Sequence, residues 1–527
     1  MTSLARASAV MTIGTVLSRA TGLVRLAAIA AALGVAESRL ADVYNIANTA
    51  PNIIYELVLG GVLTSVFVPV FVELMEKEGR ERAWEVASAI INLSLVVLMA
   101  VAALGIIAAP LIAKFYGARL HGGDQLRQIE ILTFLLRLFI PQIIFYGLAA
   151  LTAGLLNAHK RFGPPMYTSI LNNLAVIAVF VAFHQAYGGI TDLSQVTTTQ
   201  QLVIGLGTTA GVVLMALSQA SFLKGMARYR FVFSPRHPSV KKLARLAVFV
   251  VGYVITNQIG YLIVQWLAYG ERGGYSAYVN AFTFFMLPHG LFAVSIATAL
   301  LPGMSELAIN ERWDAFRERL STGIRSTIFL VLPAAVGYLI LGEPIVRLLL
   351  KRGVMTSESV ELVAGVLRFF VLGLVFFSVF QLFLRAFYAL QDTRTPFLIN
   401  LGAVAINLAV NVPLFAVMKT PGLAAGHALA YVFGVSLQAW TLSRRIGGLG
   451  VAAILASAAR IAAAAALMAA VVWPLSRYLE DRLAGSGMGQ IMAVLIPVLV
   501  GAVVYLGGAI VFRVDELRFV KNLVARR

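Results

Sequence analysis

The chain has 527 residues, of which 60% are hydrophobic and 13% charged, with no cysteine and a formal net charge of +18. A soluble domain carries nearly twice that share of charge, so the solvent of this chain is largely lipid, which excludes soluble-enzyme and DNA-binding readings. Disulfides, thiolate metal sites and cysteine nucleophiles are excluded with the cysteines.

Apolar runs bounded by charged or glycine-rich breaks predict spans at 6–33, 43–74, 85–113, 128–156, 165–185, 200–223, 243–269, 276–308, 320–341, 359–390, 396–417, 422–442, 452–476 and 488–512. The expected fold is therefore an all-α integral membrane protein of about 14 transmembrane helices. An even number of spans puts both termini on one side. With the N-terminus in the cytoplasm, that side collects Arg6, the loops around Lys77–Arg82, Lys160–Arg161, Lys224–Arg245 and Arg312–Arg319, and the tail from Arg513 to Arg527. Most of the positive charge then acts as an orientation signal. The first helix is too long, and too close to Met1, for a cleaved signal peptide, so it is expected to stay as a span.

Two features recur at a spacing of about 232 residues. Pro69-Val-Phe-Val-Glu-Leu after span 2 matches Pro302-Gly-Met-Ser-Glu-Leu after span 8. The polar loop ending at Pro164 after span 4 matches the loop ending at Pro396 after span 10. Each half then holds six spans and enters from the same side, giving two parallel six-helix repeats plus two C-terminal helices. The corresponding regions are an N-terminal lobe over 1–232, a C-terminal lobe over 233–449, and two extra helices with a basic cytoplasmic tail over 450–527.

Charge inside a span is costly and calls for a partner or a watery cavity. Arg19 lies roughly 18 Å into span 1, near the membrane midplane, and Arg25 follows on the same helix about 120° away, with Gly22 between them. One reading is a polar wedge facing a cavity; another is pairing with Asp42 or Glu56 of span 2. The fork of a guanidinium suits phosphate or pyrophosphate, so the wedge points to an anionic substrate. Pro51 and the Gly60-Gly61 pair in span 2, and Pro288 in span 8, mark candidate hinges beside it, with Gly22 as a fourth. Arg368 and Arg385, near or within span 10, are further candidates for the cavity lining. His289 reads as a packed histidine, since no second ligand stands at metal spacing. Phosphate-loop, nucleophile-elbow and zinc-helix motifs are missing, so no catalytic residue, metal or cofactor is expected, although a coupling ion is left open.

Ser18-Arg19 with Gly22 and Arg25, Asp42 before Pro51-Asn52, Gly-Val-Leu-Thr-Ser-Val-Phe-Val-Pro69, Leu-Asn-Ala-His-Lys-Arg-Phe162, Ala-Leu-Leu-Pro302 and Phe-Tyr-Ala-Leu-Gln-Asp392-Thr-Arg-Thr-Pro396 together resemble the MurJ (MviN) family of lipid II flippases, within the multidrug/oligosaccharidyl-lipid/polysaccharide exporter superfamily. The resemblance implies movement of lipid II from the inner to the outer leaflet of the bacterial inner membrane for cell-wall synthesis. It places Ser18, Arg19, Arg25, Asp42 and Asn172 in a central cavity and gives the last two spans a groove for the lipid tail. The implied partners are lipid II, membrane lipids and cell-wall enzymes, with no nucleic acid. The chain departs from the pattern where Tyr55, Thr283 and Leu26 stand at positions often charged in the family, with Arg272, Arg368 or Arg385 as substitutes. Rival readings are a flippase for another undecaprenyl-linked glycan, a multidrug exporter, whose cavity would be acidic, and a membrane scaffold that tolerates loss of both arginines.

Overall fold

The computed structural model describes residues 3–57, 68–120, 125–159, 161–190, 192–226, 229, 231–232, 238–483 and 486–517, without the side chains of 3–13, 68–70, 72 and 238–250. Gly60 and Gly61 therefore lie outside the described residues. Helices dominate: α1 (Ser3–Leu33), α2 (Leu40–Tyr55), α3 (Val68–Lys77), α4 (Gly79–Gly117), α5 (Gln125–Phe139), α6 (Gln142–Ala158), α7 (Gly163–Tyr187), α8 (Thr198–Ser221) and α9 (Pro238–Tyr269) come first. They are followed by α10 (Gly274–Pro288), a π-helical turn over His289–Ala293, α11 (Val294–Ile309), α12 (Trp313–Leu350), α13 (Ser357–Leu372), α14 (Leu374–Ala389), α15 (Arg394–Met418), α16 (Thr420–Ile446), α17 (Val451–Leu483) and α18 (Gly487–Val511).

Among the described residues, 11 stretches are long and apolar enough to cross a membrane, and 12 if α13 and α14, bent by 49° at Gly373, count as one. The expected spans 128–156 and 276–308 are each one such stretch, made of α5 with α6 and of α10 with α11. The count of fourteen is not reached in these stretches: the expected span 43–74 runs into residues outside the described set, and 243–269 into residues whose side chains are not described. With 39 residues, α4 reaches about 58 Å at 1.5 Å per residue, well beyond an apolar layer of about 30 Å.

Local chemistry sets several helix ends. Thr197 caps α8 reciprocally with Gln200, each side chain bonding the other's backbone N–H. The Ser486 hydroxyl accepts from Gly489 N–H at the start of α18, and α16 ends on Gly447 in the left-handed region at φ 75°.

By packing, the chain divides into two compact units, one of residues 1–276 with 350–356, the other of 277–349 with 357–527. So α9, which the repeat counts as the opening span of the second half, packs within the first unit. There α1 lies along α7, α7 along α8, and α2 against α5 and α6. Tyr44 of α2 is fully buried, met edge-on by Phe180 at 5.1 Å and Phe139 at 5.7 Å. In the second unit α15 and α16 pair, as do α17 and α18. Water exclusion gives little drive between helices in lipid, so close approach at small residues carries the packing. Gly508 of α18 sits against Ala464, and Gly501 against Met468 and Val472 of α17. The Tyr505 hydroxyl adds a 2.6 Å bond to Phe329 O. His427 is ringed by Phe282, Phe285, Phe370, Phe377 and Tyr431, with centroids at 4.7 to 6.1 Å. His289 is buried beside them and shares a 3.1 Å bond with the Ser378 hydroxyl.

Candidate functional site in the first unit

Helix α1 is apolar overall yet carries Arg19 and Arg25, and it is held by polar contacts with one face of α7. The Ser18 hydroxyl lies 2.9 Å from that of Ser169. Asn173 Nδ2 donates to Ser18 O at 3.2 Å and to Thr21 Oγ1 at 3.0 Å. A Cβ at Gly22 would stand 3.9 Å from Asn173 Nδ2, an ordinary contact, so the space there does not demand glycine. The helix runs unbroken through Gly22. These bonds fix the rotation of α1 and with it the directions of its two guanidinium groups.

Arg19 is exposed and Arg25 half-buried, and neither has an ion-pair partner among the described residues. The expected alternative of pairing with Asp42 or Glu56 is not what the structure holds. Arg25 instead lies close enough to the hydroxyls of Tyr44 on α2 and Tyr146 on α6 for its charge to act on both. Tyr44 shares its hydroxyl with Thr208 at 3.1 Å. The Tyr146 ring faces that of Tyr55 at 6.3 Å. Asn52 is anchored in turn by donating to Asn48 O at 3.3 Å. Tyr55 of α2 and Tyr146 of α6 thus meet ring to ring, and Pro51 lies inside α2 next to Asn52.

Asp42 has another setting. Its side chain is fully buried, and its carboxylate accepts from Gly273 N–H at 2.8 Å and from Ser276 N–H and Oγ at 2.9 and 2.8 Å. Instead of lining a cavity, it caps the start of α10, where a carboxylate is favoured by the helix dipole. Gly273 permits this: its φ is +73°, and a Cβ would strike Ala36. Around the same loop Arg39 donates to Tyr269 O at 2.9 Å, Arg272 donates to Glu37 O, and the Glu37 carboxylate accepts from Thr356 N–H and Oγ1 at 2.6 and 2.7 Å. Arg272 is thus used in this loop cluster.

Asn172 and Asn173 separate. Asn172 turns to α8, its buried Oδ1 unbonded among the described residues and lying against Gly211, while Asn173 makes the α1 contacts. Sequence reading chose Asn172. It passes over Asn173 and Ser169, which hold α1, although an Asn-Asn doublet on a helix, 100° apart, signals two different faces.

In the second unit, Arg368 on α13 and Arg385 on α14 are exposed and have no ion-pair partner among the described residues. Thr283 spends its hydroxyl on Val279 O at 2.9 Å within α10. Pro288 ends α10 and opens the π-helical turn. Beside that turn an apolar cavity of about 510 Å³ is lined by Pro288, Phe292, Phe329, Pro333, Gly337 and Tyr338, and by Met468, Val472, Pro497 and Tyr505 of the last two helices.

The description "Lipid II flippase MurJ" is that of a family model matching residues 29–488. A probable lipid II flippase MurJ of Rhizobium meliloti (strain 1021) is 28% identical over 512 residues, covering 97% of this chain and 94% of its own. Among solved structures, a lipid II flippase MurJ in an inward closed conformation is similar with a TM-score of 0.77 at 24% identity, covering 95% of this chain and 98% of that one. An inward-facing multidrug resistance MATE transporter of the MOP superfamily shares the fold with a TM-score of 0.68 at 14% identity, covering 81% and 95%. With its family model matched over most of its length, the chain belongs to the MurJ family of lipid II flippases.

Proposed function

We infer that this chain is a multi-pass carrier that moves lipid II from the inner to the outer leaflet of the bacterial inner membrane by alternating access, with no catalytic step of its own. The observation that carries the reading is the pair of arginines on α1, unpaired among the described residues, in a stretch over 14–33 that carries no other charge. Cations so placed are retained for a ligand that neutralises them, and a pyrophosphate does so with the paired hydrogen bonds a guanidinium offers. Arg25 and Arg19 hold the head group, with Arg368 and Arg385 as second-lobe candidates. Ser18 and Asn172 are read as its polar neighbours and Asp42 as a cap that binds only when α10 moves. The apolar cavity beside α17 and α18 takes part of the polyprenyl tail. In this reading both termini are cytoplasmic, the lobes are the two parallel repeats, and Gly22, Pro51, Gly60, Gly61 and Pro288 supply the bending.

The second reading, a flippase for another undecaprenyl-linked glycan, draws support from Tyr55 and Thr283 standing where family members often have arginine. Cell-wall synthesis enzymes are the natural partners of either. Complementation of a strain depleted of its own lipid II flippase tests the clamp. Arg19→Ala and Arg25→Ala are expected to reach normal membrane levels yet fail to support growth. Full growth with both would remove the arginines from the mechanism.

A further inference from the structure

The apolar cavity of the second unit reaches Ile345 on α12 and Pro497 on α18. One turn further along both helices the lining changes character. A polar pocket of about 40 Å³ is formed there by Pro344 and Arg347 of α12, Glu480 of α17, and Gln490 and Val494 of α18. Gly337 in the cavity and Arg347 in the pocket lie ten residues apart on α12, about 15 Å along the axis. The Glu480 carboxylate accepts from the buried Ser476 hydroxyl at 3.2 Å. Arg347 pairs with Glu343 one turn back, yet its side chain stays 34% exposed, and its five N–H donors exceed what one carboxylate takes.

The same end of α17 marks its depth in the bilayer. Trp473 and Tyr478 are more than half exposed, and Arg477 and Arg482 lie over their rings at 4.7 and 5.5 Å. Exposed aromatic rings with cationic neighbours settle at the level of lipid head groups. The polar pocket therefore stands at head-group level and the apolar cavity at the depth of the hydrocarbon. With Arg477 and Arg482 stacked on rings, the charged side chains of the pocket are Arg347 and Glu480, with Glu343 paired to the first.

We propose that pocket and cavity together hold one zwitterionic, amine-bearing phospholipid, a phosphatidylethanolamine, with its phosphate on Arg347, its primary ammonium on Glu480 and an acyl chain in the cavity. Charge complementarity selects this occupant. Two carboxylates against one guanidinium disfavour a head that is only negative, such as a diphosphate or a phosphatidylglycerol. Glu480 calls for an N–H donor, which a choline head lacks. Both contacts are charge-assisted and sit beside an apolar chamber, where such hydrogen bonds are strong. The proposal goes beyond the carrier reading and stands on residence in a membrane alone; in a carrier of a polyprenyl lipid, this phospholipid fills the cavity between substrates.

The test is lipid binding to the purified, delipidated full-length protein, read by native mass spectrometry. The probes are palmitoyl-oleoyl phosphatidylethanolamine, phosphatidylcholine and phosphatidylglycerol, with dihexanoyl phosphatidylethanolamine as the short-chain control. Wild type is expected to hold the long-chain phosphatidylethanolamine about tenfold more tightly than the other two long-chain lipids. Glu480→Gln can still accept from Ser476, so its melting temperature is expected to match wild type while its preference for the ethanolamine head disappears. Arg347→Gln weakens all three long-chain lipids by a similar factor, because the phosphate is common to them. A Cβ at Gly337 meets nothing within 4 Å, so Gly337→Leu fills the cavity and weakens the long-chain phosphatidylethanolamine more than the short-chain one. Equal affinity of wild type for the three heads, or a tighter hold on phosphatidylglycerol, overturns the proposal. So does an ethanolamine preference that survives Glu480→Gln, or long-chain binding untouched by Gly337→Leu.

Discussion

Asp42 shows how a single carboxylate can be read correctly as important and still be misplaced. A lone acid in an apolar stretch announces that it must have partners, but the sequence does not say which ones. Its partners are backbone N–H groups some 230 residues away, a distance no periodicity reveals. Removing the acceptor strands three donors, so Asp42→Ala is expected to cost about 3 kcal/mol, read as a lower melting temperature, with Asp42→Asn intermediate. An unchanged melting temperature would mean that the cap is dispensable. Asp392, in the turn between α14 and α15, gives a pH-dependent counterpart. Burial alone would raise its carboxyl, but Thr395 N–H and Oγ1 and the Arg445 guanidinium outweigh burial and hold it below the usual carboxylate range. The contribution to stability is therefore full above the unfolded value of about 4 and is lost as the pH falls through the lower folded value. Thermal unfolding from pH 6 downward is expected to show an acid-side loss that Asp392→Asn lacks; identical pH profiles would remove Asp392 as its source.

At the scale of the element, hydropathy reads well where a helix is long and uninterrupted, as in α4, α15 and α18. It also finds the spans assembled from two helices, such as α5 with α6, because the break leaves the apolar run intact. Span 2 is harder: Pro51, a polar Asn52 and the glycine pair dilute the signal in the stretch that carries the candidate site. The facing of each side chain depends on helix rotation, which for α1 is set by Ser169 and Asn173 of α7, and composition is blind to that. The apolar cavity of the second unit is likewise a product of packing, formed where α12, α17 and α18 leave space. At Gly337 a Cβ would meet nothing within 4 Å, so a larger side chain enters the cavity without a clash. Gly337→Leu is expected to leave folding stability within about 1 kcal/mol of wild type while weakening binding of full-length undecaprenyl lipid II more than that of a short-chain analogue. Equal effects on the two lipids would take the tail out of this cavity.

For the whole molecule, membrane residence and family follow from features spread along the entire chain: composition, the ladder of apolar runs, and motif pieces from Ser18 to Pro396. The spacing of about 232 residues predicts an order of spans, whereas compact packing groups α9 with the first unit. The proposed clamp ties this scale to function through Arg19 and Arg25 of α1. Translocation of fluorescent lipid II across reconstituted vesicles, compared between wild type and Arg25→Ala at equal protein and equal melting temperature, measures that link directly. The account predicts movement by wild type and a loss of about tenfold or more in the variant; lipid II moved by Arg25→Ala at the wild-type rate would contradict it.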